Sequence, residues 1–330
     1  MLMKGIGMGT ILENSKLLIE NRDIIRNIFK MSGEEMLLAG SSFYVGIGHT
    51  ANEEAIKNCE KILKENTGMF SDFRGNARIP LICKMAIAED PKQYFLMIEK
   101  IVDQMKHLKW INAQYKILAA MTIYDYGDMD NISDIIDKMT ELFKRMKEKH
   151  PWLTSDEDIS FAAMLAISNL DVEKLIDEME VCYAKLKTKF NDSNAMQSVS
   201  HVLSLDEADA EEKCSRLCSI FNQLKEKKHK YGTGYEMTVL GTMSILDIPV
   251  EQIVDEIIES DEFLKQQKGF GDFVMGEKRR RMYAALMVMD SHIPPADRSH
   301  KALLNTTMTL VIAMQICMIC VISAVVVAPN

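Results

Sequence analysis

The residues in this chain that could do chemistry are few. Cys214 and Cys218, in the run CSRLC, stand one helical turn apart and could each offer a thiolate to a metal. A structural zinc site asks for four ligands, and no nearby pair completes the set. Cys317 and Cys320 have the spacing of a redox motif, but they lie inside an apolar run with no βαβ pattern beside it. His201 would need a positioned partner to act as a general base, and the sequence supplies none. Gly5, Gly7 and Gly9, and again Gly46 and Gly48, make glycine-rich stretches. A phosphate-cradling loop needs a strand before it and a helix after it, so both stretches read as loops. No catalytic residue, metal ligand or cofactor-binding residue is assigned, and no cofactor is expected.

Three groups suit binding better. Trp110, Trp152, Phe190, Tyr231 and Phe270 recur where long helical patterns end. Each could plug the elbow of a helical hairpin, or together they could form a row of anchors, because Trp and Tyr are enriched at binding hot spots. The run Lys278-Arg279-Arg280-Arg281 reads either as a solvated helix end or as a site for an acidic partner or anionic lipid. Phe73-Arg74-Gly75 with Arg78 reads as a turn before a helix, or as an anion contact. Trp110, Trp152, Tyr231, Arg279, Arg280 and Arg281 are the candidate partner-binding residues.

These positions hang on a repeat. Six segments run from an apolar start to an Asp ten residues later: PLICKMAIAED (80–90), LAAMTIYDYGD (118–128), FAAMLAISNLD (161–171), MQSVSHVLSLD (196–206), MTVLGTMSILD (237–247) and RRMYAALMVMD (280–290). Successive starts are 38, 43, 35, 41 and 43 residues apart, the range of helical-hairpin solenoids. A less regular first unit starts near Met36. In this register His201 falls where other units have Met85, Ile123, Ala166, Thr242 and Ala285, which suggests a core histidine. Cys214 and Cys218 likewise fall where other units have Ile98 and Val102, or Met179 and Tyr183. Buried Cys behaves as a small hydrophobe.

After each Asp, apolar residues keep a three-and-four spacing, as in Leu175, Met179, Cys182, Tyr183 and Leu186. That spacing predicts an amphipathic helix with one buried face. An Asp at its entrance can accept hydrogen bonds from the unpaired first-turn amides, and Pro91 suits a first helical position. Lysines gather at the far ends, Lys106 and Lys109 or Lys144 and Lys147 for example, which complements the helix dipole. One unit is therefore a long amphipathic helix, a loop and a shorter, more apolar helix. The expected fold is all-α: six or seven stacked helical hairpins in an α-solenoid-like, α/α superhelical array, with a closed α/α ring as the variant. The expected organisation is an N-terminal segment and first helix over 1–35, the repeat domain over 36–299, and an apolar C-terminal helix over 300–330.

Composition agrees with this. In 330 residues there are 16 Gly and 7 Pro, hydrophobic residues make up 47% and charged residues 26%, which excludes general disorder and favours helix over sheet. The formal net charge of -9 argues against a nucleic-acid partner. Seven scattered cysteines and no evident secretory signal predict reduced thiols in a cytoplasm. One stretch complicates that. Residues 310–328 (LVIAMQICMICVISAVVVA) have only Gln315 and Ser323 as polar side chains. As a helix they would span about 28 Å, close to the ~30 Å hydrocarbon core. With Arg298, His300 and Lys301 ahead of it, the run reads either as a C-terminal tail anchor at the inner membrane face or as a helix buried in the fold or in a homo-oligomer.

Over roughly residues 10–325, in length and in runs such as LAAMTIYDYGD and FAAMLAISNLD, the chain resembles a bacterial family known as domain of unknown function 4003. The resemblance implies an all-helical bacterial protein and brings no activity or catalytic residue with it. The expected function is that of a cytoplasmic helical-repeat protein that binds or scaffolds a protein partner, not an enzyme. The alternatives are the same module tethered to the membrane, and an enzyme whose site forms in a concave groove from carboxylates with His201.

Overall fold

The computed structural model describes residues 8–293, and among them are fourteen α-helices and no strand. They come as amphipathic–apolar pairs. The first four pairs are α1 (Met8–Ile28) with α2 (Glu34–Val45), α3 (Glu53–Asn66) with α4 (Arg78–Ile87), α5 (Pro91–Gln104) with α6 (Ala113–Tyr126), and α7 (Ile132–Lys149) with α8 (Asp158–Ala166). The later three are α9 (Val172–Lys187) with α10 (Ser193–Leu203), α11 (Ala210–Glu226) with α12 (Met237–Ser244), and α13 (Val250–Lys265) with α14 (Glu277–His292). Each of the six apolar-to-Asp segments supplies an apolar helix, and the run near Met36 supplies α2. The apolar run 310–328, with Cys317 and Cys320, and the glycines Gly5 and Gly7 lie outside the described residues.

Burial explains why both kinds of helix form. In α7, Ile132, Ile135, Ile136, Met139, Leu142, Phe143 and Met146 are buried and mark one stripe of the helix, while Lys144, Lys147 and Lys149 face out. Helices shorter than about 12 residues are marginal alone in water, yet α8 and α12 persist with all nine and all eight of their residues buried. They are covered from several sides, so their sequences carry almost no polar face.

The chain divides into two compact units: residues 18–169, and residues 170–293 with the described part of 1–17. Within the 18–169 unit, α4 packs against α2, α3 and α5, α6 against α5 and α8, and α8 against α7. Within the 170–293 unit, α10 packs against α9 and α12, while α12 packs against α11 and α14. In each unit the amphipathic helices also touch in order, α3 to α5 to α7 and α9 to α11 to α13. The start of α1 joins the 170–293 unit through Asn14 Nδ2, which donates to Asp290 at 3.0 Å, and Ser15, whose hydroxyl is 3.2 Å from that of Ser260.

The expected helix entrances need correction. Asp90 and Asp171 do cap α5 and α9, accepting from Gln93 N and from Glu173 N and Lys174 N. Asp128 instead caps a 3-10 turn over Met129–Asn131, and α7 starts behind it. Asp206 accepts from Ala208 N, but α11 begins only after Asp209, which takes over the capping. α13 begins after Pro249 rather than at Asp247. Asp290 ends no apolar helix, because α14 continues to His292 and the carboxylate turns to Asn14.

Candidate functional site

In the 18–169 unit every elbow between an amphipathic helix and its apolar partner carries a large apolar side chain pointing into solvent. After α1 it is Met31 (99% exposed), after α3 Met69 and Phe70 (77% and 97%), after α5 Trp110 (67%) and after α7 Trp152 (95%). Neighbouring elbows are tied to one another. The Arg78 guanidinium beyond the α3 elbow lies 5.5 Å from the ring centre of Phe29, two residues before Met31. Gln114, just past the α5 elbow, donates to Asp72 O at 2.7 Å and accepts from Ala77 N at 2.7 Å. Asn112 N, two residues past Trp110, donates to Asp156 Oδ2 of the α7 elbow at 2.7 Å. These bonds join the four elbows into one ridge.

Charge on the ridge is mixed. Lys30, Lys106, Lys109, Lys147 and Lys149 are exposed there, and Arg74 is half-buried. Among them stand Glu34, Glu65, Asp72, Asp103, Glu148, Asp156 and Glu157, and Lys106 is paired with Asp103 at 3.0 Å. Arg74 is spoken for: it donates to the carbonyls of Lys64 and Thr67 at 2.6 and 2.7 Å, closing the end of α3. That supports the turn reading of Phe73-Arg74-Gly75, and Gly46 and Gly48 likewise occupy the turn that ends α2.

The elbows of the 170–293 unit are built differently. Phe190, Tyr231 and Phe270 are buried. Phe190 packs edge-on against Phe221 with ring centres 5.1 Å apart. Tyr231 and Phe270 are folded inward by the basic run. Arg281 Nη1 donates to Lys230 O at 2.6 Å, and Arg280 Nη1 donates to Phe270 O at 3.1 Å. Both guanidinium groups converge on the buried carboxylate of Asp261, from Arg280 Nε at 2.6 Å and Arg281 Nε at 3.0 Å. Arg280 also pairs with Asp272, and Arg281 with Glu277 at 3.0 Å. The solvated-end expectation therefore fails for Arg280 and Arg281, which are sealed into the core by acidic partners. Arg279 remains half-buried, with Nε donating to Met275 O at 2.8 Å. Trp110 and Trp152 plug nothing, whereas Phe190, Tyr231 and Phe270 do.

Two polar clusters could be mistaken for active sites. His229 Nδ1 sits 3.2 Å from Asp261 Oδ2, with His229 Nε2 3.8 Å from Glu262. Those three could face a cation, but Asp261 already receives two guanidinium groups, which would repel a metal at its free lone pairs. In the other unit, Lys84 Nζ pairs with Asp125 Oδ2 at 2.8 Å and sits 4.5 Å from the ring centre of Phe43, while Tyr94 donates to Asp125 Oδ1 at 3.0 Å. Burial works to lower the Lys84 pKa, but Asp125 overrides it and the net shift is upward. Burial and Asp125 together raise the Tyr94 phenol well above its ordinary range. Neither group would give up its proton readily, so this cluster is unsuited to general-base or amine chemistry near neutral pH. His201 is buried in α10, as the repeat register suggests.

Cys214 and Cys218 lie on the side of α11 that approaches α9. Cys214 is buried with its thiol 3.9 Å from Cys182 O, and Cys218 is half-buried. A cleft of about 800 Å³ runs past both, lined mainly by Lys185, Lys189, Ser215, Ser219, Asn222 and Gln223.

Sequence spacing pointed to Trp110 and Trp152 but missed Met31, Met69 and Phe70. Extending the elbow register one and two units toward the N-terminus would have found them. Spacing could not tell exposed elbow aromatics from buried ones, because Phe190 stands as near its helix end as Trp152 does.

The architecture defines an all-α protein of paired amphipathic and apolar helices with an exposed apolar ridge in one unit. The sequence model of a family described as protein of unknown function (DUF4003) matches residues 23–317, and the chain belongs to that family. It is similar to the uncharacterized protein YeaA of Bacillus subtilis (strain 168), 22% identical over 246 residues that cover 73% of this chain and 74% of that one. No solved structure matches.

Proposed function

We propose that the hairpins of each unit stack in solenoid-like fashion and that the chain works as a binding or scaffolding module in the cytoplasm. The observation that carries this reading is the ridge of Met31, Met69, Phe70, Trp110 and Trp152. Five large apolar side chains in water on linked elbows forgo the stabilisation of burial, roughly 1.5–3 kcal/mol each. Two of the five are Trp, a residue enriched at binding hot spots. The free thiols of Cys59, Cys83, Cys182, Cys214 and Cys218 support a reducing compartment. The described residues include no helix long and apolar enough to cross a membrane. The tail-anchor alternative rests on 310–328, outside those residues.

A photo-crosslinking side chain placed at 110, at 152 and, as control, at the exposed Val181 of α9 tests the reading in cells. Adducts at 110 and 152 well above those at 181 are expected. Equal background at all three positions would remove the ridge as a binding surface.

A further inference from the structure

We infer that Cys214 is an oxidation site for peroxides, with Cys182 as the second thiol of a reversible disulfide between α9 and α11. The two helices pack against each other. The Cys182 thiol hydrogen-bonds to the Cys214 sulfur, and Cys214 Sγ lies 3.9 Å from Cys182 O. Two sulfurs in contact across a helix pair are the starting point that a disulfide requires. Access comes from one side. Cys214 edges the cleft of about 800 Å³, while Cys182 is fully buried beside it. A small oxidant entering the cleft therefore meets Cys214 first.

The surroundings give the two sulfurs different roles. The hydrogen bond from Cys182 lowers the Cys214 pKa against the cost of burial, and Lys185 and Lys213 add to the effect. Lys213 is fixed in place, its Nζ donating to Leu203 O at 2.9 Å and Asp206 O at 2.7 Å. Cys182 is pushed the other way by giving that hydrogen bond, then by burial and by Glu178, whose Oε1 lies 3.7 Å from its sulfur. The thiolate is the attacking form, so Cys214 attacks and Cys182 holds its proton for the second step. First, the Cys214 thiolate displaces hydroxide from hydrogen peroxide: an S–O bond forms, the O–O bond breaks, and sulfur is oxidised to a sulfenic acid. Then the Cys182 sulfur attacks the Cys214 sulfur. An S–S bond forms, the S–O bond breaks, and hydroxide leaves with the Cys182 proton as water. Two thiols and one peroxide thus give one disulfide and two waters. Cys59 and Cys83 are fully buried, and burial pushes the Cys59 thiol up to about 11 and Cys83 further. Neither is suited to the first step.

Trypsin sorts the thiols, because Cys182 falls in the peptide 175–185 and cleavage after Arg216 parts Cys214 from Cys218. The full-length protein is reduced, treated with hydrogen peroxide, unfolded in excess alkylating agent, digested and weighed by mass spectrometry. The expected product is the Cys182 peptide joined to the Cys214 peptide, released again by dithiothreitol. It should form about tenfold or more faster than any oxidation of Cys59. Cys218→Ser should leave the joined pair intact. Cys182→Ser should stop at a sulfenic acid on Cys214, trapped by dimedone, with the circular dichroism spectrum unchanged. The wild-type digest decides by itself should Cys182→Ser fail to fold. Three results overturn the inference. A bridge between Cys214 and Cys218 means that α11 alone supplies both thiols. Oxidation confined to Cys218 means that the cleft exposes that thiol and Cys214 is inert. Cys182 and Cys214 as fully alkylated after peroxide as Cys59 means that both are packing residues only.

Discussion

Arg280 donates its Nε to Asp261 at 2.6 Å, with both side chains only about 1% exposed. Arg281 closes on the other oxygen of the same carboxylate, and the two arginines then hold the carbonyls of Phe270 and Lys230. One buried acid in α13 thus organises two elbows. Removing one partner of a buried pair leaves an uncompensated charge and costs about 3–5 kcal/mol. Asp261→Ala should show that full loss in the denaturant midpoint of the 170–293 unit. Asp272→Asn, whose carboxylate is 41% exposed, should cost about 1 kcal/mol or less. Similar midpoints for the two variants would mean that Asp261 is not the centre of the network.

The elbow aromatics divide into two kinds by the cost of truncation. Tyr231→Ala and Phe270→Ala empty sites that are fully buried, so each should lower stability by about 3–5 kcal/mol. Trp110→Ala and Trp152→Ala remove rings that water already surrounds, and each should stay within about 0.5 kcal/mol. Melting curves of the four variants suffice. A large loss at Trp152 would show that its ring packs in the native protein and would take it off the ridge.

The alternation of amphipathic and apolar helices was legible because it follows from burial: α7 has one covered face, α8 has no open one, and the residues say so directly. The two readings of Trp152 and Tyr231 were not separable in the same way. Both follow a long helix, and what turns Tyr231 inward is Arg281, fifty residues further along, holding Lys230 O. The basic run was misread for a related reason. Its counter-charges, Asp261 and Asp272, belong to α13 and to the following elbow, and nothing local announces them. The capping Asp was legible at 90 and 171. It was obscured at 206, where Asp209 offers a second cap three residues on.

Gly40 of α2 faces Cys83 of α4. A methyl group there would lie 2.7 Å from Cys83 Sγ and 3.4 Å from Ile25 Cδ1. Alanine gains about 0.5–1 kcal/mol over glycine within a helix, but forcing an atom into a packed core costs about 1–3 kcal/mol. Gly40→Ala should therefore be destabilising. Adding Cys83→Ala removes the sulfur that is struck, so the double variant should be more stable than the sum of the single changes predicts. Additive losses would place the strain elsewhere.

Asp158 opens α8, with Ser155 N donating to its Oδ2 at 2.8 Å. Burial chiefly, and then the neighbouring Glu157, push its pKa well above the carboxylate range, outweighing the Ser155 hydrogen bond and Lys147. The folded protein therefore keeps this proton at pH values where the unfolded chain has released it. Folded molecules bind more protons than unfolded ones in that window, so the contribution of Asp158 to stability falls as pH rises from the ordinary Asp value to the raised one. Each tenfold gap in proton affinity is worth about 1.4 kcal/mol. Asn cannot ionise, and its carbonyl can still accept from Ser155. Asp158→Asn should match the wild type near about pH 3, below both pKa values, and exceed it increasingly toward neutrality. The measurement is the difference in unfolding free energy between variant and wild type across that range, which cancels the titration of every other group. A difference that stays flat with pH would mean that Asp158 ionises normally in the fold, and that burial at the start of α8 costs the carboxylate little.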